Sequence, residues 1–311
     1  DQSENEKDHF WYIYKYVNVN DIISDLNYLM GLVTGKRSLL KKSSGPVLLG
    51  FYSIGGGAGK SVIALGTSRA LSRYHDQRVL YLSFEEIPAT ELFMKNNSVG
   101  RNIGDYLYYL LEKRNESLCG RPEGFTSFDE YGVEAFYPSK GRNDLNYLNR
   151  EELLYFFKII SDSCRYDFIA LDLKSDLAEE TLFLLNMCGK IILIQNDDPV
   201  SEFKNRKFLS YMEKLDDFSH KDRFLAAVNR TDCPEADREN GEYFYSKNIK
   251  SIHIEKDEGS FRFASNHLDI DINHVFGAGV GKLAEERGIT FHCDAVQSAG
   301  RLPVDVNRIK C

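Results

Sequence analysis

Ser53-Ile54-Gly55-Gly56-Gly57-Ala58-Gly59-Lys60-Ser61 is the stretch on which the fold turns. An apolar run, Val47 to Tyr52, precedes it, and a helical pattern from Ser61 to about Tyr74 follows. Glycine accepts backbone conformations closed to other residues, so successive N–H groups can curl inward together. The start of the following helix adds positive potential. Strand, glycine-rich turn, Gly-Lys-Ser and helix together make a phosphate cradle. In it Lys60 would reach the β- and γ-phosphates and Ser61 would offer its hydroxyl to Mg²⁺. The strict spacing GxxxxGK[ST] asks for glycine at position 54, where this chain has Ile54. The flanking strand and helix and the density of glycines carry the assignment instead.

Arg78 to Phe84 is the next apolar strand pattern, which makes a βαβ unit and implies a right-handed crossover and a parallel sheet. Phe168–Leu173, Lys190–Gln195 and Phe224–Asn229 are further buried-strand candidates. Helical patterns at Glu151–Ser163, Ala178–Met187 and Ser201–Leu215 separate them. This alternation predicts an α/β fold: a doubly wound, mostly parallel sheet with helices on both faces, in three layers. Residues 115–149 are less regular and are expected to run over the sheet edge. Upstream, Ile22, Ile23, Leu26, Leu29 and Met30 recur at helical spacing behind Asn20 as N-cap, and a polar linker follows them.

Two strand ends carry acids suited to the loop's chemistry. Tyr166-Asp-Phe-Ile-Ala-Leu-Asp172 is an apolar strand ending in aspartate, the Walker B form, which holds a carboxylate beside a Mg²⁺ shell. Val79-Leu-Tyr-Leu-Ser-Phe-Glu-Glu86 ends in acids, and a carboxylate at a strand end, such as Glu85, can accept a proton or align water.

Composition sets outer limits. The chain has 311 residues, 42% hydrophobic and 28% charged, as in ordinary globular proteins. No apolar run is long enough to span a bilayer, so no integral membrane segment is expected. Residues Asp1 to Asp8 are polar and acidic and show no signal-peptide pattern. A net charge of −8 gives no general attraction to nucleic acid, and DNA binding is not expected. Lys36, Arg37, Lys41 and Lys42 form one basic cluster, read as a solvated linker. The six cysteines, Cys119, Cys164, Cys188, Cys233, Cys293 and Cys311, show no CxxC pair. Reduced thiols and a cytoplasmic location are expected.

The segment Gly55 to Ser61 resembles the deviant Walker A motif, KGGxGK[ST], of ParA/MinD ATPases. Phe224-Leu-Ala-Ala-Val-Asn229-Arg230, Phe261 to His267 and Val275 to Ala284 are similar to further parts of that family, so the resemblance spans about Val47 to Glu286. It implies ATP or ADP as ligand, with Mg²⁺ at Ser61 and Asp172. Nucleotide would be held by Gly55, Gly56, Gly57, Ala58, Gly59, Lys60, Ser61 and Val62 and by Asn229 and Arg230. Asn229 would hydrogen-bond adenine, because an amide offers both a donor and an acceptor to a base edge. Lys60, Glu85 and Asp172 would carry catalysis. The family's signature lysine, which reaches across a dimer, aligns with Gly55. Its loss is a trait of the CpaE-like branch, which this sequence resembles more closely. An ATP-dependent homodimer is implied, with protein partners in spatial positioning or pilus-type secretion. The alternative is a regulatory module that binds ATP without hydrolysing it. A MinD-like basic amphipathic C-terminal helix is not seen. Residues 1–38 resemble the end of a truncated receiver-like domain plus linker, ahead of the P-loop ATPase domain at 39–284.

The remaining 285–311 reads as an atypical extension. Gly281 to Asn307 is similar to a segment of cysteine desulfurases, in which Asp294 would pair with the pyridinium nitrogen and Gln297 with the ring hydroxyl of pyridoxal phosphate. The Schiff-base lysine of that family lies beyond the segment, so desulfurase activity is not expected.

Overall fold

Strand side chains point alternately to opposite faces, and here both faces are covered. In the computed structural model, residues 45–94, 101–112, 122–215, 223–232, 244, 249–264 and 267–286 are described. Among these residues eight strands form one sheet: β1 (Val47–Tyr52), β2 (Val79–Ser83), β3 (Thr126–Phe128), β4 (Glu134–Phe136), β5 (Phe168–Asp172), β6 (Lys190–Asn196), β7 (Phe224–Thr231) and β8 (Lys250–Glu255). Their order is β3-β4-β2-β5-β1-β6-β7-β8, parallel throughout except for β3, which runs antiparallel to β4. A separate antiparallel pair joins β9 (Phe261–Ala264) to β10 (His267–Ile270).

Seven α-helices cover the sheet: α1 (Lys60–His75), α2 (Thr90–Phe93), α3 (Ile103–Leu107), α4 (Arg150–Asp162), α5 (Glu179–Met187), α6 (Pro199–Met212) and α7 (Val275–Glu285) among the described residues. Leu49, Phe51, Phe168, Ala170, Ile192 and Ile194 face one core with Ile63 and Leu71 of α1 and Phe276 and Val280 of α7. Tyr52, Ile169, Leu171, Ile191 and Leu193 face the other, with Phe156 of α4, Leu184 of α5 and Phe208 of α6. Burial on both sides is why these strands read as continuous apolar runs. The expected three-layer α/β/α fold is what forms.

Local signals set the helix boundaries. Asn149 and Glu152 form a reciprocal capping box at the start of α4, with bonds of 3.0 and 2.9 Å. Helix α6 begins at Pro199, two residues before the predicted Ser201. The Asp198 carboxylate accepts from the N–H groups of Val200 and Ser201 at 2.9 Å each, and proline suits the first helical position. Within 122–149 the expected excursion supplies β3 and β4 and so lengthens the sheet. Strand β8 was not predicted: only Ile252 and Ile254 point inward, and its other residues are polar. The predicted helix near residues 20–33, the basic cluster Lys36–Lys42 and the tail 287–311 lie outside the described residues. No described helix is long and apolar enough to cross a membrane.

Arg69, 1% exposed, ties α1 to its surroundings. It pairs with the Asp129 carboxylate at 2.7 Å, donates to the carbonyls of Phe93 and Ile270, and lies 4.7 Å from the Tyr131 ring centroid. Helix α7 has no cap from its own N-cap residue, His274. Asp257, from the loop after β8, substitutes. It accepts from the Phe276 N–H at 3.0 Å, the Gly259 N–H at 2.8 Å and the Ser260 hydroxyl at 2.6 Å.

Those bonds, led by the Ser260 hydroxyl and the Phe276 N–H, hold the Asp257 carboxyl below its ordinary value. Its stabilising contribution is therefore full above the unfolded-state value, about 4, and is lost as pH falls through the lowered folded value. Asp257→Ala should cost about 1 kcal/mol near neutral pH by urea unfolding, with the difference from wild type shrinking in acid.

Candidate functional site

In parallel α/β sheets ligand sites form outside the carboxyl ends of the strands, where the connections diverge. Here β1, with β5 and β6 on either side, delivers the glycine loop to that edge. The Ser53 hydroxyl donates to the Gly55 carbonyl at 2.8 Å and starts the curl. Gly57 and Gly59 have φ of 78° and 84°, in the left-handed region that favours glycine. A Cβ on Gly59 would also lie 2.5 Å from Asn229 Nδ2. Helix α1 starts next with no side-chain cap, which leaves first-turn N–H groups directed at the loop's mouth. Ser61 and Val62, in that first turn, are half-buried.

Three charged side chains predicted from separate segments converge. Lys60 is 6% exposed and its Nζ contacts the Glu85 carboxylate, Asp172 Oδ1 at 3.1 Å and the Leu173 carbonyl. Three acceptors match the three donors of an ammonium group. Asp172, 1% exposed, accepts at Oδ2 from the Tyr81 hydroxyl at 2.9 Å and the Ser83 hydroxyl at 3.4 Å. Burial, reinforced by Asp172, pushes the Tyr81 phenol well above its ordinary value, so it stays a neutral donor. Glu85 is 37% exposed, on a turn pinned by buried Asn143, whose Nδ2 donates to the Ser83 carbonyl at 2.7 Å and the Glu85 carbonyl at 3.0 Å. Glu86 beside it bonds Lys174 at 2.6 Å and Arg142 at 3.0 Å, and these bonds hold its carboxyl below the usual range.

Tyr81, Ser83, Asn143 and the Leu173 carbonyl were not singled out in the sequence. A faint signal existed for two of them. Tyr81 and Ser83 stand two apart on β2, hence on one face, and Ser83 is in register with Asp172. Asn143 has no sequence signal, since it arrives from a connecting segment.

Asn229 and Arg230, at the end of β7, reach the loop itself. Asn229 Nδ2 donates to the Ala58 carbonyl at 2.8 Å, and its Oδ1 accepts the Arg230 N–H at 2.9 Å. Arg230 Nη1 donates to the Gly57 carbonyl at 3.4 Å. Among the described residues no group of three or more His, Cys, Asp or Glu gathers to hold a metal. The hard oxygens nearby are the Asp172 and Glu85 carboxylates on Lys60 and, in the adjoining first turn of α1, the Ser61 hydroxyl. Such a sparse set suits Mg²⁺, which keeps several waters and takes one or two protein ligands beside phosphate oxygens.

No family model matches the chain. The solved structure of a ParA family ATPase from Chlorobium tepidum TLS aligns with a TM-score of 0.52 at 17% identity, over 78% of this chain and 93% of that one. The MinD cell division protein of Aquifex aeolicus aligns at 0.55 and 13% identity, over 84% of this chain and 100% of its own. This is the ParA/MinD fold. The Aquifex protein in its MinC:MinD complex superposes similarly, at 0.54 and 12% identity. At such identities the ParA/MinD likeness establishes architecture, and the chemistry has to come from the side chains. Separately, 29 residues are 59% identical to cysteine desulfurase IscS of Anaeromyxobacter sp. (strain K) and of Anaeromyxobacter dehalogenans (strain 2CP-C). That match covers 9% of this chain and 7% of the length of those enzymes, far short of a desulfurase domain.

Proposed function

We propose that this chain is a Mg²⁺-dependent ATP-binding protein and ATPase of the ParA/MinD type. The observation that carries it is Lys60, placed at the glycine loop and shared between Glu85 and Asp172 from two other strand ends. A buried cation at that point can exchange its carboxylate partners for phosphate oxygens. The loop N–H groups and the α1 terminus then hold the β- and γ-phosphates, and Lys60 offsets the charge that develops on transfer. Glu85, once Lys60 leaves it, has a free carboxylate to orient the attacking water. Tyr81 and Ser83 keep Asp172 fixed at the buried strand end. Ser61 and Asp172 would hold Mg²⁺, whose positive charge would help to neutralise the phosphates.

Nucleotide would drive formation of a homodimer that acts as a switch in spatial positioning or pilus-type secretion assembly, in the manner of the CpaE-like branch. The Aquifex MinD structure with MinC offers a precedent for a protein partner. A second possibility, ATP binding without hydrolysis, is favoured by Gly55, which stands at the signature-lysine position with open space where a side chain would project.

Steady-state turnover separates the two. Under the ATPase assignment, Glu85→Ala should lower kcat by roughly 100-fold while ATP affinity changes by only a few-fold. Tight binding with negligible turnover, indifferent to Glu85→Ala, would leave only the second possibility.

A further inference from the structure

We propose that the chain's own residues 20–33 dock as a helix in the groove between α4 and α5. Helix α4 leads into β5, and α5 leads from β5 to its parallel neighbours. The two helices therefore run side by side, from the carboxyl edge of the sheet to its amino edge. Their first turns touch. Arg150 Nη2 bonds the Glu179 carboxylate at 3.1 Å, and its guanidinium lies 5.5 Å from the Phe183 ring centroid. Leu154 and Ser161 follow Arg150 on the same face of α4, and Met187 follows Phe183 by one turn of α5. Beyond the Arg150 contact the groove is apolar and open. Leu154 is 49% exposed, and Phe183 and Met187 are only partly buried against the core beneath. Apolar surface gathered in this way marks a contact site.

The chain enters the fold at the mouth of this groove. Gly45 lies so close to Ser161 that a Cβ on it would collide with the Ser161 Oγ. Upstream, Ile22, Ile23, Leu26, Leu29 and Met30 recur on one helical face behind Asn20, which is the surface an apolar groove accepts. The lengths agree. At about 1.5 Å per residue, 20–33 makes a helix roughly 21 Å long, and the 13 residues of α4 span about 20 Å. Residues 34–44 join the two and reach at most about 40 Å, enough for the segment to lie along the whole groove. Charge agrees as well. Lys41 and Lys42 come shortly before Gly45, while the exposed Asp162 and the carbonyl end of α4 flank Ser161.

Hydrogen exchange read by mass spectrometry tests the docking on the full chain, without nucleotide, so that the result stands apart from the ATP assignment. The wild type is compared with Leu154→Asp, Leu26→Asp and Phe203→Asp. In the wild type the amides of residues 22–30 should exchange about 100-fold more slowly than in an unfolded peptide of the same sequence. Leu154→Asp and Leu26→Asp should each remove about tenfold or more of that protection, as expected for the loss of one buried leucine contact. Phe203→Asp, similarly exposed but on α6, should leave it unchanged. Exchange in β5 is the check on folding and should be alike in all four proteins. Should Leu154→Asp loosen β5, Leu26→Asp, which lies outside the sheet and its helices, carries the comparison. Absence of protection at 22–30 in the wild type would overturn the docking. So would protection that either leucine variant leaves intact, or that Phe203→Asp removes equally. Protection that rises with protein concentration would place the segment on a second copy of the chain and overturn it likewise.

Discussion

Lys60→Ala is expected to lower affinity for Mg-ATP by about 100-fold, or roughly 2.7 kcal/mol, the range for losing charge-assisted bonds to phosphate in a dry site. The same change should reduce stability. It leaves Asp172, 1% exposed, without its cation and the Leu173 carbonyl without its Lys60 donor. Removing one partner of a buried ion pair costs about 3–5 kcal/mol, and the partial exposure of Glu85 places this case at the low end. Binding must therefore be read on folded protein, with circular dichroism as the check. Lys60→Ala combined with Asp172→Asn removes the orphaned charge, so it should regain most of the stability and none of the affinity. A double variant that recovered ATP binding would show that the lysine acts through the fold and not through phosphate.

The largest effect on stability is expected from Gly277→Ala. A Cβ there would lie 1.6 Å from the Ile272 carbonyl oxygen and 2.3 Å from its carbon, both backbone atoms that cannot rotate aside. The first turn of α7 would have to lift away from the loop leading into it. With it would move Phe276, whose ring packs so close to α1 that a Cβ on Gly66 would be 2.7 Å away. The cost should be about 3 kcal/mol or more in urea unfolding, at the upper end for overpacking. Gly281, in the same helix with nothing within 4 Å of a Cβ, provides the control. Gly281→Ala should gain about 0.5–1 kcal/mol from helix propensity and lower backbone entropy. Equal effects at the two positions would contradict this packing.

These two glycines mark the boundary of what the linear sequence could say. Helix α7 was visible as a family-like segment, but nothing in Val275-Phe-Gly-Ala-Gly-Val-Gly distinguishes the glycine that touches backbone from the one that faces open space. That distinction depends on Ile272 folding back on the helix. The parallel sheet was legible because β1, β5, β6 and β7 are buried on both faces and read as apolar runs. Strand β8 was not, because it is the last strand of the sheet and only alternate residues are apolar. For the candidate site, Lys60 and Asp172 can be read from the sequence because a phosphate loop and a strand-end aspartate are local patterns. Glu85 was placed beside them by the same logic, and the three meet. Asn143 and the Leu173 carbonyl complete the constellation through contacts between distant segments, which no spacing encodes. Asn229 and Arg230, expected to hold nucleotide, hydrogen-bond the Ala58 and Gly57 carbonyls of the glycine loop.

The most direct measurement is an isothermal titration of Mg-ATP into the purified wild-type chain, repeated with the Lys60→Ala/Asp172→Asn variant. A saturable isotherm near one ATP per chain for the wild type, weakened by about 100-fold or more in the variant, is the predicted result. No heat of binding to the wild type at millimolar ATP, or equal binding by the two proteins, would contradict the assignment of the glycine loop and Lys60 as the ATP site.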